Sequence, residues 1–246
     1  MGPQAAAAWP YLIAFDMEFP RINMVGGSMD FQSESLGASF RLEAAVTSGE
    51  EFANTARAEM YSKNNVFRSV IGIDRPTFIP FINPNRTTLL SAQLFYQHIF
   101  DHELRNGFGG PSNYMVGMPD WENNVIGTFM IKGFMSGDRV SPQLVLARDF
   151  QAHAWAAAPQ VEWSVTNDLK LTFGANVKGR DGQDRYSFDD ARDHRPFPFL
   201  QTMAGGTPAG AYGTFGGLEP LGSFRAGPIG SAFKENDVYF MMRYKF

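Results

Sequence analysis

The sequence contains no cysteine, which excludes a disulfide framework and any metal centre ligated by thiolates. Long hydrophobic runs are missing too. The longest nearly apolar stretch, Ala5 to Phe15, covers eleven residues and includes Pro10, whereas a bilayer-spanning helix needs ~20. Positive charge is not in excess: 21 Lys and Arg face 25 Asp and Glu, for a net charge of −4. With no basic stripe either, nucleic acid is not an expected partner. Gly-x-Ser-x-Gly, His-Glu-x-x-His and the phosphate-binding loop are all absent, so the chain is not read as an enzyme and no cofactor or metal is expected.

Aromatic side chains and a period of two are what the chain has. Aromatics make up 14% of the residues, with 23 Phe, and 25 Gly are available for turns. Near the C terminus Val238, Phe240, Met242, Tyr244 and Phe246 alternate with Tyr239, Met241, Arg243 and Lys245. One set is wholly apolar and the other ends in two cations, the mark of a strand between unlike surroundings. Leu169, Leu171, Phe173, Ala175 and Val177 alternate in the same way with Lys170, Thr172, Gly174, Asn176 and Lys178. Upstream, Trp155, Ala157, Pro159, Val161, Trp163 and Val165 share a face, as do Leu36, Ala38, Phe40, Leu42, Ala44 and Val46. Less regular strands are expected at about 22–31, 66–75, 88–100, 123–135 and 140–151, and a first one at about 8–16 with Trp9, Tyr11, Ile13 and Phe15 on one face.

The expected fold is all-β, an antiparallel transmembrane β-barrel with about ten visible strands, part of a larger barrel and a single domain over 1–246. Mean hydropathy is −0.22, as it should be when half of each strand faces a polar lumen. Connections alternate in length. Gln32–Ser35, Ser136–Arg139 and Thr166–Asp168 read as short turns, and about 48–65, 102–122 and 180–235 as long polar loops. Outer-membrane barrels keep short turns in the periplasm and long loops outside, which makes 180–235 an extracellular loop. The segment Arg75–Arg86 is long and apolar for a periplasmic turn. Trp155 and Trp163 lie roughly 20 Å apart along a tilted strand, close to the ~25 Å between aromatic girdles.

Two further patterns carry a resemblance. The final strand, closing on Phe240, Met242, Tyr244 and Phe246, is similar to the terminal insertion signal of Gram-negative outer-membrane β-barrels. The stretch Thr77-Phe-Ile-Pro-Phe-Ile-Asn-Pro-Asn-Arg-Thr87, then Leu90-Ser-Ala-Gln93 and His98-Ile-Phe-Asp-His102, together with Glu18-Phe-Pro-Arg21 and Arg41-Leu-Glu-Ala-Ala-Val46, resembles a large family of proteobacterial outer-membrane proteins catalogued as a domain of unknown function. The likeness covers roughly residues 11–179 and the last strand. Its members look like long barrels with an N-terminal signal. Met1 to Pro10 lacks the charged region and uninterrupted apolar core of such a signal, so the expectation is the C-terminal half of a member. The resemblance implies the bacterial outer membrane as location. It also implies transport of hydrophobic or aromatic compounds. The partners that follow are outer-membrane lipid, lipopolysaccharide, the barrel assembly machinery and a small-molecule solute. The family offers no catalytic or binding residues to carry over.

From the alternation alone, Arg41, Glu43, Arg68, Asp74, Lys132, Asp149, Glu162, Lys170, Lys178, Arg243 and Lys245 are expected to face the lumen. More cations than anions on that wall would concentrate anionic solutes, or the charges would pair across strands and fill the interior. The expected function is a channel, porin-like, passing small hydrophobic or anionic compounds. A structural or adhesive barrel that binds a partner through its outer loops is the alternative. A membrane-embedded hydrolase using His98, Asp101 or His102 stands third.

Overall fold

The structure is a computed structural model, and it describes residues 20–106 except 55, 58 and 60, residues 115–181 except 119, residue 229, and residues 236–246. Eleven strands are described in chain order: β1 (Asn23–Ser33), β2 (Ala38–Ala53), β3 (Tyr61–Phe78), β4 (Thr87–Ile99), β5 (Leu104–Asn106), β6 (Met115–Gly117), β7 (Asn123–Lys132), β8 (Val140–Asp149), β9 (Ala154–Ser164), β10 (Leu169–Arg180) and β11 (Asp237–Tyr244). Nine of them form one sheet in the order β1-β2-β3-β4-β7-β8-β9-β10-β11, and β5 pairs only with β6. Every pairing is antiparallel. The all-β, antiparallel expectation therefore holds at the level of the sheet. Among the described residues that sheet is open, with β1 and β11 as its edges. The expected strand at 8–16 lies outside the described residues.

Local chemistry explains where the strands reverse. Gly37 sits at φ +58° and its N–H donates to the Glu34 carbonyl at 3.2 Å, a left-handed position that glycine takes without a Cβ penalty. The β1–β2 turn is thus Glu34–Gly37, two residues later than expected, and Leu36 lies in the turn instead of the strand. Between β7 and β8, Ser136, Gly137 and Asp138 all have positive φ. After β9, Thr166 Oγ1 accepts the N–H groups of Asp168 and Leu169 at 3.2 and 2.9 Å, so one hydroxyl fixes the reversal. All connections of this kind fall at one end of the sheet, together with the β3–β4 segment 79–86. The connections from β2 to β3, β4 to β7, β8 to β9 and β10 to β11 leave and re-enter the sheet at the other end.

The long loop expected at 48–65 is mostly strand. The register of β2 against β3 shifts between Thr47 and Glu50, where Gly49 lies at φ +83°, and pairing then resumes as far as Ala53 and Tyr61. A bulge absorbs an extra residue and lets a ladder continue. Beyond it polar residues hold the strands: Lys63 Nζ lies 3.0 Å from Glu51 Oε1. The expected loop at 102–122 likewise contains β5 and β6, and the expected loop at 180–235 falls almost wholly outside the described residues.

Very little of the sheet is buried. Val66, Ile99 and Met118 are fully buried in one small cluster with Phe52 against it. Large apolar side chains remain exposed along the whole sheet, from Val25 on β1 to Phe240 on β11.

Candidate functional site

Opposed residues in an antiparallel ladder point to the same face, so the register sorts every strand residue onto one of two surfaces. On one surface lie Phe31 and Phe40, then Leu42, Ile71 and Leu94, then Phe129, Leu146, Val161, Phe173 and Phe240. Phe31 and Phe40 stack with centroids 5.1 Å apart at 12°, and Phe173 and Phe240 meet at 4.9 Å. Leu94 is 44% exposed, Phe173 49% and Phe240 59%. Trp155 and Trp163 belong to this apolar face, as do Met242 and Tyr244. The ring of Phe246, just past β11, meets that of Tyr244 at 5.3 Å.

The opposite surface carries the charge. Arg41 and Glu43 on β2, Arg68 and Asp74 on β3, Lys132 on β7, Asp149 on β8, Glu162 on β9, Lys170 and Lys178 on β10 and Arg243 on β11 all share it by register. Lys245, two residues past Arg243, keeps the same parity. Most of the strand residues that are buried, among them Val66, Ile99, Ser91, Ser141, Asp149 and Ala154, also lie on this side.

Much of the charge is paired across strands. Arg41 Nε donates to Asp30 Oδ1 at 3.0 Å with Glu43 Oε1 at 3.8 Å. Arg68 makes a two-pronged ion pair with Glu50, its Nη2 2.7 Å from Oε2, while its Nε donates to Gln97 Oε1 at 3.1 Å. Lys170 Nζ lies 2.9 Å from Glu162 Oε1. Lys132 instead sits 5.7 Å from the centre of the Phe134 ring. Asp149, fully buried, accepts the Ala152 N–H through Oδ1 at 3.0 Å. Tyr239 Oη donates to Gln160 Oε1 at 2.9 Å on the same surface.

One feature of this surface was not legible in the sequence. At the end with the longer connections, Asn54 is fully buried and its Nδ2 donates to Ser62 Oγ and Glu103 Oε2, each at 3.2 Å. Arg57 Nε donates to the same Glu103 oxygen at 2.9 Å. The Glu103 carbonyl accepts the Met118 N–H at 2.7 Å. These contacts clamp the β5–β6 pair to β2 and β3, with Met118 packed on Val66 and Ile99. An isolated polar Asn in a loop gives no such signal.

His98 and His102 take separate partners. His98 Nδ1 faces Asn123 Oδ1 at 2.9 Å on the apolar side, and His102 Nε2 faces the Asp120 carbonyl at 2.8 Å. No cluster of three His, Asp or Glu side chains suited to a metal occurs among the described residues. The segment 79–86 folds beside the β7–β8 turn, where Arg86 Nε donates to Asp138 Oδ1 at 2.9 Å and Asn83 Nδ2 donates to the Phe134 carbonyl. Ile82 from that segment borders an apolar hollow of about 690 Å³ with Leu144, Pro159, Val161, Phe173 and Phe240.

A family model described as "Protein of unknown function (DUF1302)" matches residues 4–195. No curated protein and no solved structure matches the chain.

Proposed function

The chain belongs to the DUF1302 family of proteins of unknown function, and from that premise we propose that its nine-stranded sheet is an arc of an outer-membrane β-barrel that passes small solutes. The observation that carries the reading is the apolar face left exposed across all nine strands. Monomeric soluble proteins rarely expose contiguous apolar patches beyond a few hundred Å², whereas a lipid-facing wall must be apolar. The opposite, charged face then lines a watery lumen. The short-turn end lies in the periplasm, and Phe240, Met242, Tyr244 and Phe246 serve as the insertion signal. Trp155 and Trp163 stand at the two interfaces as a girdle. Lipid, lipopolysaccharide and the barrel assembly machinery are the partners this location brings.

An open edge inside hydrocarbon would strand unpaired N–H and C=O groups, so the arc must be closed. Nine strands in an up-and-down meander leave β1 and β11 running in the same direction. Antiparallel closure therefore takes an odd number of further strands. One more strand would give ten and a lumen nearly filled by side chains, and a larger number opens a channel. We favour the larger barrel. A structural or adhesive role is the second reading, favoured by the Asn54–Glu103–Arg57 clamp, which holds a folded cap at the outer end.

Planar-bilayer recording of the refolded protein, after a gel-mobility shift on boiling has shown folding, tests the proposal. Discrete conductance steps are the expected result. A folded, heat-modifiable barrel without conductance overturns the channel in favour of the structural role. A protein that stays soluble without detergent overturns the membrane reading altogether.

A further inference from the structure

We propose that the short-turn end of the charged face holds an anion-binding site made by Lys170, Arg243 and Lys245, which takes the carboxylate or phosphate group of a small solute. Its role in passage rests on the channel reading above, and the site itself rests on its own geometry. The β10–β11 register sets Lys170 directly opposite Arg243. Like charges so placed repel and weaken a ladder, unless an anion lies between them. Lys245 continues the row, its N–H held by the Asp168 carbonyl at 3.0 Å. The turn at 166–168, fixed by Thr166 Oγ1, and Ser164 complete a hollow of about 340 Å³ around the three cations. That is room for a small polyanion.

Charge is unbalanced in this hollow, in contrast to the surroundings of Arg41 and Arg68 on the same face. Arg41 and Arg68 each have carboxylates of their own. Here Glu162 answers Lys170, Asp168 is the one carboxylate residue in the lining, and Arg243 and Lys245 form no ion pair among the described residues. Three cations thus meet two carboxylates. Lys170 is partly buried and Arg243 and Lys245 are exposed, so the attraction for an anion comes from three cations converging on one hollow. The hollow opens on the charged face, away from the apolar one, which points to a solute and not to a lipid headgroup.

Citrate titration by calorimetry, on protein refolded in neutral detergent, is the test. Citrate is expected to bind, and Arg243→Gln or Lys245→Gln to weaken it about two- to fivefold each, the range of a single exposed charge pair. Glu162→Gln frees Lys170 and is expected to tighten binding by a similar factor, a gain that damage to the fold would not produce. Arg86→Gln removes a cation from the same end of the sheet, where it pairs with Asp138, and should change nothing. Absence of citrate binding, or equal weakening by Arg86→Gln, overturns the site. Displacement of citrate by added phosphatidylglycerol overturns the solute assignment. Conductance without citrate binding removes the site and leaves the channel, and binding without conductance does the reverse.

Discussion

Trp155 lies against Gly179 across the β9–β10 ladder, so closely that a Cβ built on Gly179 would stand 2.5 Å from Cζ2 of the indole. The missing side chain makes the space the ring fills. A glycine inside a strand weakens it through backbone entropy and lost packing, and a large ring laid over it restores contact. Gly179→Ala must therefore push the indole off the ladder. We expect a loss of about 1–3 kcal/mol, the usual cost of overpacking, and a shift in Trp155 fluorescence. Unchanged emission in the alanine variant would show that the ring does not rest there.

The two faces of β10 give the sharpest test of the proposed lipid-facing side. Phe173 and Thr172 are neighbours in sequence on opposite surfaces, Phe173 opposite Phe240 and Thr172 opposite Glu162. Arginine on a lipid face near the bilayer midplane costs about 2–4 kcal/mol. Phe173→Arg should lose that much in urea unfolding from vesicles. Thr172→Arg, with Glu162 across from it, should stay within about 0.5 kcal/mol, as an ordinary surface change does. Equal losses from the two variants would mean that neither face is lipid.

Much of this was legible because a period of two needs only the identity of each residue. Val238 to Phe246 and Leu169 to Val177 assign their faces without any knowledge of their neighbours, and the β-strands near 155–164 and 169–180 begin and end within a residue or two of the alternation. Strands stop being legible where both faces become polar. Ser48 to Glu51 read as loop, yet they extend β2 because Glu51 meets Lys63 and Glu50 meets Arg68 across the sheet. Those pairings depend on a bulge at Gly49, which no alternation encodes. Leu36 failed for the opposite reason: its apolar side chain fitted the pattern, but Gly37 places it in a turn, 54% exposed.

The buried Asn54 makes the β5–β6 cap fragile in a specific way. Its amide joins Ser62 to Glu103, and its Oδ1 accepts the Ala56 N–H at 2.9 Å. Asn54→Ala would leave the Ala56 N–H without its acceptor and take one hydrogen bond each from Ser62 and Glu103, at a cost of about 1–3 kcal/mol. The loss should be local, since the nine-stranded ladder does not pass through Asn54. Hydrogen exchange at Met118, whose N–H donates to Glu103, is expected to speed up while the amides of β9 and β10 stay protected. Loosening that spreads through the whole sheet would show that the cap is part of the main fold.

The two edges of the sheet offer a test of the proposed closure. Each residue of an antiparallel edge strand alternates between a pair that is bonded inward and one whose N–H and C=O point outward. On β1 and β11 the outward set has no partner among the described residues. Edge groups of this kind exchange with water freely, and in hydrocarbon they would be costly. Because β1 and β11 run parallel, they do not complete an antiparallel ladder with each other, and the proposed barrel would need an odd number of further strands between them. The expected outcome in the membrane-inserted protein is slow deuterium uptake along β1, for example at alternate amides of Val25 to Phe31, and along Val238 to Met242. In detergent-free solution the same amides should exchange fast. Fast exchange in the membrane as well would mean that the edges stay bare and the sheet is not closed there.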